Sequence, residues 1–552
     1  MKKYLLVLVG LCCVLSYALA ERPDYPELKK SDANIIGHVL DKKTKEHLPY
    51  ITIALKGTTI GTVTDATGHY FLKNLPEGNF ILEVSSVGYK TVTRNVTLKK
   101  GKTLEEDFEI EEDAIALDGV VVSANRSETT RRMAPTLVNV VDLKLFETTN
   151  SSTLSQGLNF QPGVRVETNC QNCGFQQVRI NGLDGPYTQI LIDSRPVFSA
   201  LSGVYGLEQI PASMIERVEV MRGGGSALFG SSAIAGTINI ITKEPLRNSG
   251  QLSHTITSLG GSSSFDNNTS LNASLVTDDH RAGLYIFGQN RYRSGYDYDG
   301  DGFTELPKLK NQTVGFRSYL KTSTYSKLTF EYHHMQEFRR GGDMLNRPPH
   351  EAHIAEQLQH SIDGGSLKFD YFSPDEKNRL SVFASAANTD RDSYYGPGND
   401  PLKAYGKTTD LTAMGGAQYV HTFDKCFFMP SDLTAGLEYN RDRLKDNMWG
   451  YNRHTDQTVN IYSAFLQNEW KNDRWGILIG GRLDKHNMVD NVIFSPRANL
   501  RFNPTQNINL RLSYSSGFRA PQAFDEDMHI ENVGGTVAMI ERAKDLKEEK
   551  SQ

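Results

Sequence analysis

From about residue 250 the sequence keeps a period of two, in segments of roughly ten residues separated by polar loops. Leu328, Phe330 and Tyr332 alternate with Thr329, Glu331 and His333; Leu367, Phe369 and Tyr371 alternate with Lys368 and Asp370; Ile508, Leu510, Leu512 and Tyr514 alternate with Asn509, Arg511 and Ser513. Successive strand side chains point to opposite faces, so each segment has one apolar and one polar face. A membrane-spanning barrel needs an apolar face toward lipid and a polar face toward the lumen, and its strands average out as polar overall. A soluble β-sandwich shares the period, but with shorter loops and fewer Tyr and Phe on the outer face.

Beyond residue 20 no apolar run is long enough for a spanning helix, and mean hydropathy is -0.44. Lys2 and Lys3 precede the apolar run Tyr4 to Leu15, and Ala18-Leu19-Ala20 has small residues where a signal peptidase cuts, so residues 1–20 read as a secretory signal. Cys12 and Cys13 leave with it. A net charge of -5 with intermixed signs carries no nucleic-acid signature. The remaining Cys170, Cys173 and Cys426 are too few for a disulfide scaffold. In an exported protein Cys170-Gln-Asn-Cys173 reads as a local disulfide, with metal or ligand contact as the alternative.

Residues 34–110 carry several short strand signals between glycine turns, which predicts a small β-sandwich. Further on, Ile215 to Met221 is an alternating strand, Gly223-Gly224-Gly225 a turn, and Thr237 to Thr242 a second strand. No Gly-Lys-Ser/Thr follows the glycines, so a phosphate loop does not fit.

The stretch from Gly206 to Lys243, with Gln161-Pro-Gly-Val164, Gln177-Val-Arg-Ile-Asn-Gly182 and Gln189-Ile-Leu-Ile-Asp-Ser-Arg-Pro196 before it in that order, resembles the plug domain of TonB-dependent outer-membrane receptors over residues 125–245. Thr62-x-Thr64-Asp65-x-x-Gly68-x-Tyr70 resembles the carboxypeptidase regulatory-like domain that precedes many such receptors and is not an enzyme. The resemblance implies a mainly β chain: N-terminal β-sandwich, α+β plug, and antiparallel transmembrane β-barrel over 250–552. It implies import of a metal chelate (ferric siderophore, haem or cobalamin), outer-membrane lipid and the TonB-ExbB-ExbD inner-membrane complex as partners, and no required cofactor. Roughly thirteen strand candidates fall short of the 22 strands of plugged transporters. The expectation is therefore a chain that stops within its barrel, with the charged segment Glu541 to Gln552 a helix-like external loop.

Within this frame Leu117-Asp-Gly-Val-Val-Val-Ser-Ala124 resembles a TonB box, with Asp118, Val120, Val121 and Val122 meeting the energising partner by strand addition; an ordinary first plug strand is the alternative. Phe518-Arg-Ala-Pro521 resembles the FRAP box of chelate receptors, which points to Arg519 and to His529 downstream; Tyr187 falls near substrate-facing plug loops. His333, His350 and His353 offer imidazoles to a metal chelate if they gather at one mouth. Asp297, Asp299, Asp301 and Glu305 have oxygen ligands at calcium-loop spacing, although Lys308 stands where an EF-hand would close. His353-x-x-Glu356 mimics a zinc-peptidase pair by chance spacing. Rival readings are a sensing receptor anchored by the barrel and a non-functional remnant.

Overall fold

The computed structural model describes residues 30–552 apart from 50, 66, 87–88, 113–119, 127–128, 171, 197–210, 232, 278, 397–400, 506–507, 524–527, 534–535 and 544. The signal segment 1–20 and Asp118 lie outside the described residues.

Two four-stranded sheets form the N-terminal sandwich. In one, Lys30–Asp41 pairs antiparallel with His69–Pro76 and parallel with Thr103–Glu105 and Phe108–Ile110. The other runs Gly61–Val63, Thr52–Leu55, Gly78–Ser85, Val92–Leu98. Alternate residues Ile35, Ile53, Leu55, Leu72, Leu82, Val84 and Phe108 are buried between them, the expected result of a period of two on sheets with one wet face.

The plug is built on a mixed sheet in the order Val138–Asp142, Ile215–Arg222, Gly236–Thr242, Thr188–Ile192. Its central strands are buried on both faces, Val218, Val220, Ile238 and Ile240 against helices Leu143–Thr148 and Leu154–Leu158 and a hairpin of Val164–Cys170 with Phe175–Ile180. Gly236 sits at φ 149, where a Cβ would lie 2.2 Å from the Met221 carbonyl oxygen, so only glycine admits this close strand crossing.

Thirteen antiparallel strands, from Ser249–Ser258 to Ile508–Ser515, pair in sequence order. The sheet is not closed, and those two strands are its edges. The alternation has the predicted sense: Phe330 and Tyr332 are exposed on the outside while Glu331 and His333 are buried inside. Outward Leu437, Leu466, Ile479 and Leu512 extend the apolar band. Inward positions carry Arg317, Glu438, Glu469, Arg482 and Arg497 against the plug.

Connections at one end are short, such as Ser323 to Ser326, Cys426 to Met429 and Thr505 to Ile508; at the other they are long, between Arg293 and Lys308, Gly342 and Ala355, and Gly396 and Tyr405. The sandwich meets the short-turn end, where the Thr59 amide donates to the Thr324 carbonyl at 3.0 Å. The described residues between Glu541 and Gln552 do not form the helix their charge pattern predicts. Glu549–Ser551 is a strand paired with Gly517–Arg519, because the partner backbone offers ladder bonds that an isolated charged turn of helix lacks.

Candidate functional site at the plug and barrel interface

Plug and barrel meet through buried charge as well as apolar packing, the latter placing barrel Tyr285 and Phe287 in the plug's core cluster. Arg126 of the plug pairs with Glu438, which also takes Arg482 at 2.7 Å, and Arg482 reaches Asp484 at 2.8 Å. Asn125 donates to Glu469 at 2.8 Å, and Arg497 to the Ala124 carbonyl at 3.1 Å. On the opposite side Arg317 pairs with plug Asp193 and, at 3.1 Å, with Glu331. Burial pushes the Asp193 carboxyl up, but the Arg317 charge and hydrogen bonds from Arg317 and Thr242 outweigh it and hold it below the usual range.

The candidate TonB box begins inside this assembly. Val120–Val121 pairs antiparallel with Thr129–Thr130, and the Val121 side chain is buried with Ala124, Val138 and Leu191. Glu219, fully buried on the central plug strand, accepts from the amides of Val122 and Ser123 at 2.9 and 2.8 Å, from the Ser123 hydroxyl at 2.7 Å and from Arg217 Nε at 2.9 Å. Sequence reasoning missed Glu219; its signal was a carboxylate flanked by Val218 and Val220 in a strand that buries both faces.

The expected imidazole cluster does not form. His333 is buried in a cleft lined by Ile192, Asp193, Arg195 and Glu331, toward the short-turn half. His350 lies 2.9 Å from the Tyr405 hydroxyl, and His353, largely exposed, lies 2.6 Å from Asp343. His333 lies in the middle of strand Ser326–Gly342, whereas His350 and His353 lie in the loop that follows it, so the strand and its loop spread the three along the wall rather than gather them. His353 and Glu356 also part: the first faces out and the second is buried inward, so no peptidase pair exists.

Tyr187 and Arg519 do meet. The Arg519 guanidinium lies 5.5 Å from the Tyr187 ring centre, Tyr187 donates to Glu549 at 2.8 Å, and Arg519 is 3.6 Å from the same carboxylate. That hydrogen bond, then burial, raises the Tyr187 phenol above its ordinary value. In the loop between Arg293 and Lys308, Asp297, Asp299, Asp301 and Glu305 present one oxygen each within 4.8 Å of one another. Asp297 accepts the amides of Gly300 and Gly302 at 2.7 and 2.9 Å, which closes the turn.

Cys170 and Cys173 are not joined in a disulfide. Cys170 Sγ is turned instead to Glu356, 3.0 Å away, and accepts the Cys173 amide at 3.4 Å; Cys173 Sγ lies 4.0 Å from His529 Nδ1. Hydrogen bonding from Cys173 lowers the Cys170 thiol, burial opposes it, and His529 adds to the lowering, which takes it to about 4.

Comparison with known proteins accounts for the three parts in order. Residues 35–122 match the CarboxypepD_reg-like domain, 130–237 the TonB-dependent receptor plug domain, and 236–552 the TonB dependent receptor-like beta-barrel. The vitamin B12 transporter BtuB of Vibrio vulnificus strain CMCP6 is 24% identical over 425 residues, 74% of this chain and 64% of that protein; BtuB of strain YJ016 is 33% identical over 174 residues, 30% and 28% of the two chains. Among solved structures, the siderophore receptor PirA of Acinetobacter baumannii superposes with TM-score 0.61 at 19% identity, over 71% of this chain and 62% of that one. The ferric enterobactin receptor PfeA of Pseudomonas aeruginosa gives 0.60 at 19% identity, over 71% and 63%. This chain thus spans less than two thirds of the length of these relatives, which are transporters and receptors rather than enzymes. With the barrel model covering more than half of its residues, and plug and regulatory-like models preceding it, the chain belongs to the family of TonB-dependent receptors.

Proposed function

We propose that this chain acts in energised import of a scarce metal chelate (ferric siderophore, haem or cobalamin) across the outer membrane. The observation that carries this reading is the plug lodged by buried ion pairs against the polar inner face of an outward-apolar sheet. Short turns face the periplasm in such barrels and long loops the exterior. Asn125 donates to Glu469, and the Arg132 carbonyl accepts from Asn509, both strand positions near the short turns, so the Val120 strand starts on the side where a TonB-ExbB-ExbD complex would pull. Solute would bind on the opposite side, where Tyr187, Arg519, His350 and His353 are the candidate contacts. TonB would compete with Thr129–Thr130 for the Val120–Val121 backbone by strand addition.

In cells carrying the complete receptor, Val121→Pro, which removes an amide and distorts the strand, is expected to cut uptake of the cognate solute by roughly tenfold or more at unchanged surface binding. Radiolabelled cobalamin, haem and ferric siderophores are the solutes to offer. Accumulation that persists at full rate in Val121→Pro, or in cells without TonB, would contradict the reading. Calcium is the ion we propose for the Asp297 loop; titration calorimetry should show heat that disappears in Asp299→Asn, and no heat in the unmodified chain removes it.

A further inference from the structure

The four side chains of Cys170, Cys173, Glu356 and His529 come from three places in the chain. The first two stand on the tip of the plug hairpin Val164–Cys170/Phe175–Ile180, Glu356 near the start of strand Ala355–Phe372, and His529 in the segment after Pro521. Each offers one ligand atom, and all four atoms lie within 4.8 Å of one another. We propose that they form a metal site, for a thiophilic divalent ion of the zinc type, that ties the plug tip to the barrel at its long-loop end.

The donor set is the first argument. Two thiolates, an imidazole and a carboxylate are the ligand types zinc takes in tetrahedral sites, at about 2.0–2.3 Å from the metal. Ligands on the vertices of such a tetrahedron stand about 3.3–3.8 Å apart, so closing the set needs an inward movement of about 1 Å or less.

Electrostatics is the second. Glu356 is 2% exposed, and among the described residues no arginine or lysine pairs with it; its carboxylate meets a thiol at 3.0 Å instead. A carboxylate placed this deep with no cationic side chain beside it has the surroundings that a bound cation would complete. Glu438, by contrast, is paired with Arg126 and Arg482.

The surroundings are the third. Leu358, Tyr395, Met448 and Ile530 are fully buried beside Cys173, and the Tyr395 ring stands edge-on to His529 at 5.3 Å, so apolar side chains wall the site on the Cys173 side. The hairpin tip is itself pinned. Gly174 turns the chain at φ 69, and Arg339, oriented by Glu337 at 2.7 Å, donates to the Gly174 carbonyl at 3.0 Å. The geometry of the Cys170 to Cys173 turn, with the Cys173 amide on the Cys170 sulfur, suits two thiolates side by side facing a third group.

The test uses the full chain purified in detergent without added reductant. Titration with Co2+, read by its visible absorption and sulfur charge-transfer bands, followed by displacement with Zn2+, should show one ion per chain in a tetrahedral, sulfur-ligated site. Cys173→Ser and Glu356→Gln should each weaken Zn2+ binding by about 100-fold or more, whereas Cys426→Ser, on a short turn at the other end, should bind as the unmodified chain does. The Co2+ spectrum of the unmodified chain decides the matter should a variant fail to fold. A Cys170–Cys173 disulfide in protein taken directly from membranes, Co2+ bands without sulfur character, or Zn2+ binding insensitive to Cys173→Ser would overturn the proposal.

Discussion

Glu219→Ala is expected to release the segment from Val120 to Ser123 and to cost about 3–5 kcal/mol of plug stability, the range for stripping one member from a buried charged network. The carboxylate is fully buried and takes two main-chain amides, a hydroxyl and a guanidinium, so its removal leaves several donors without an acceptor at once. Glu219→Gln keeps the shape and one acceptor oxygen and should cost less, about 1–3 kcal/mol. Hydrogen exchange read by mass spectrometry checks both: amides of Val122 and Ser123 should lose protection first in the alanine variant. Unchanged protection there would mean that the strand pairing with Thr129–Thr130 alone holds the segment. Because this segment is the one offered to TonB in the proposed mechanism, Glu219 sets how readily it is surrendered.

Glu438→Ala carries the second large effect. Glu438 stands between Arg126 of the plug and Arg482 of the wall, and the three side chains are each at most 5% exposed. Arg126 also packs over the rings of Phe229 and Phe465 at 4.8 and 4.9 Å, so it cannot swing to water without leaving that slot. Removing the carboxylate puts two guanidiniums face to face and should destabilise plug seating by about 3–5 kcal/mol. Urea titration, followed by fluorescence of a label on the plug, should find release at clearly lower denaturant. Replacing Arg126 and Glu438 together by methionine should recover much of the loss, since it deletes charge and partner at once. Equal release in Glu438→Ala and the unmodified chain would show that seating rests on other contacts.

What the sequence disclosed and what it withheld divide along a physical line. Alternation in Leu328 to His333 fixes which face each side chain takes, and the structure has Phe330 outward and Glu331 and His333 inward for that reason. The strand, glycine turn and strand around Gly223 to Gly225 were legible because β-branched runs and glycine turns are local signals. Partnerships across the chain were not. Glu356 was visible only as a chance neighbour of His353, whereas its partner Cys170 lies 186 residues away. His529 was singled out for its place after the FRAP-like segment, yet nothing local joins it to Cys173. The terminal charged run failed for a related reason, since its strand exists only through pairing with Gly517–Arg519.

A plug inside a lipid-embedded sheet requires that sheet's outer face to be apolar and its inner face polar. Spin labels placed singly at Leu437 and Thr434, in protein reconstituted into lipid vesicles, test it through their collision rates with oxygen and with a water-soluble nickel complex. Leu437 is 66% exposed and Thr434 2%, so the account predicts high oxygen and low nickel accessibility at 437 and low accessibility to both at 434, beneath the plug. Nickel access at 437 equal to that of a free aqueous label, or an oxygen-rich environment at 434, would contradict it.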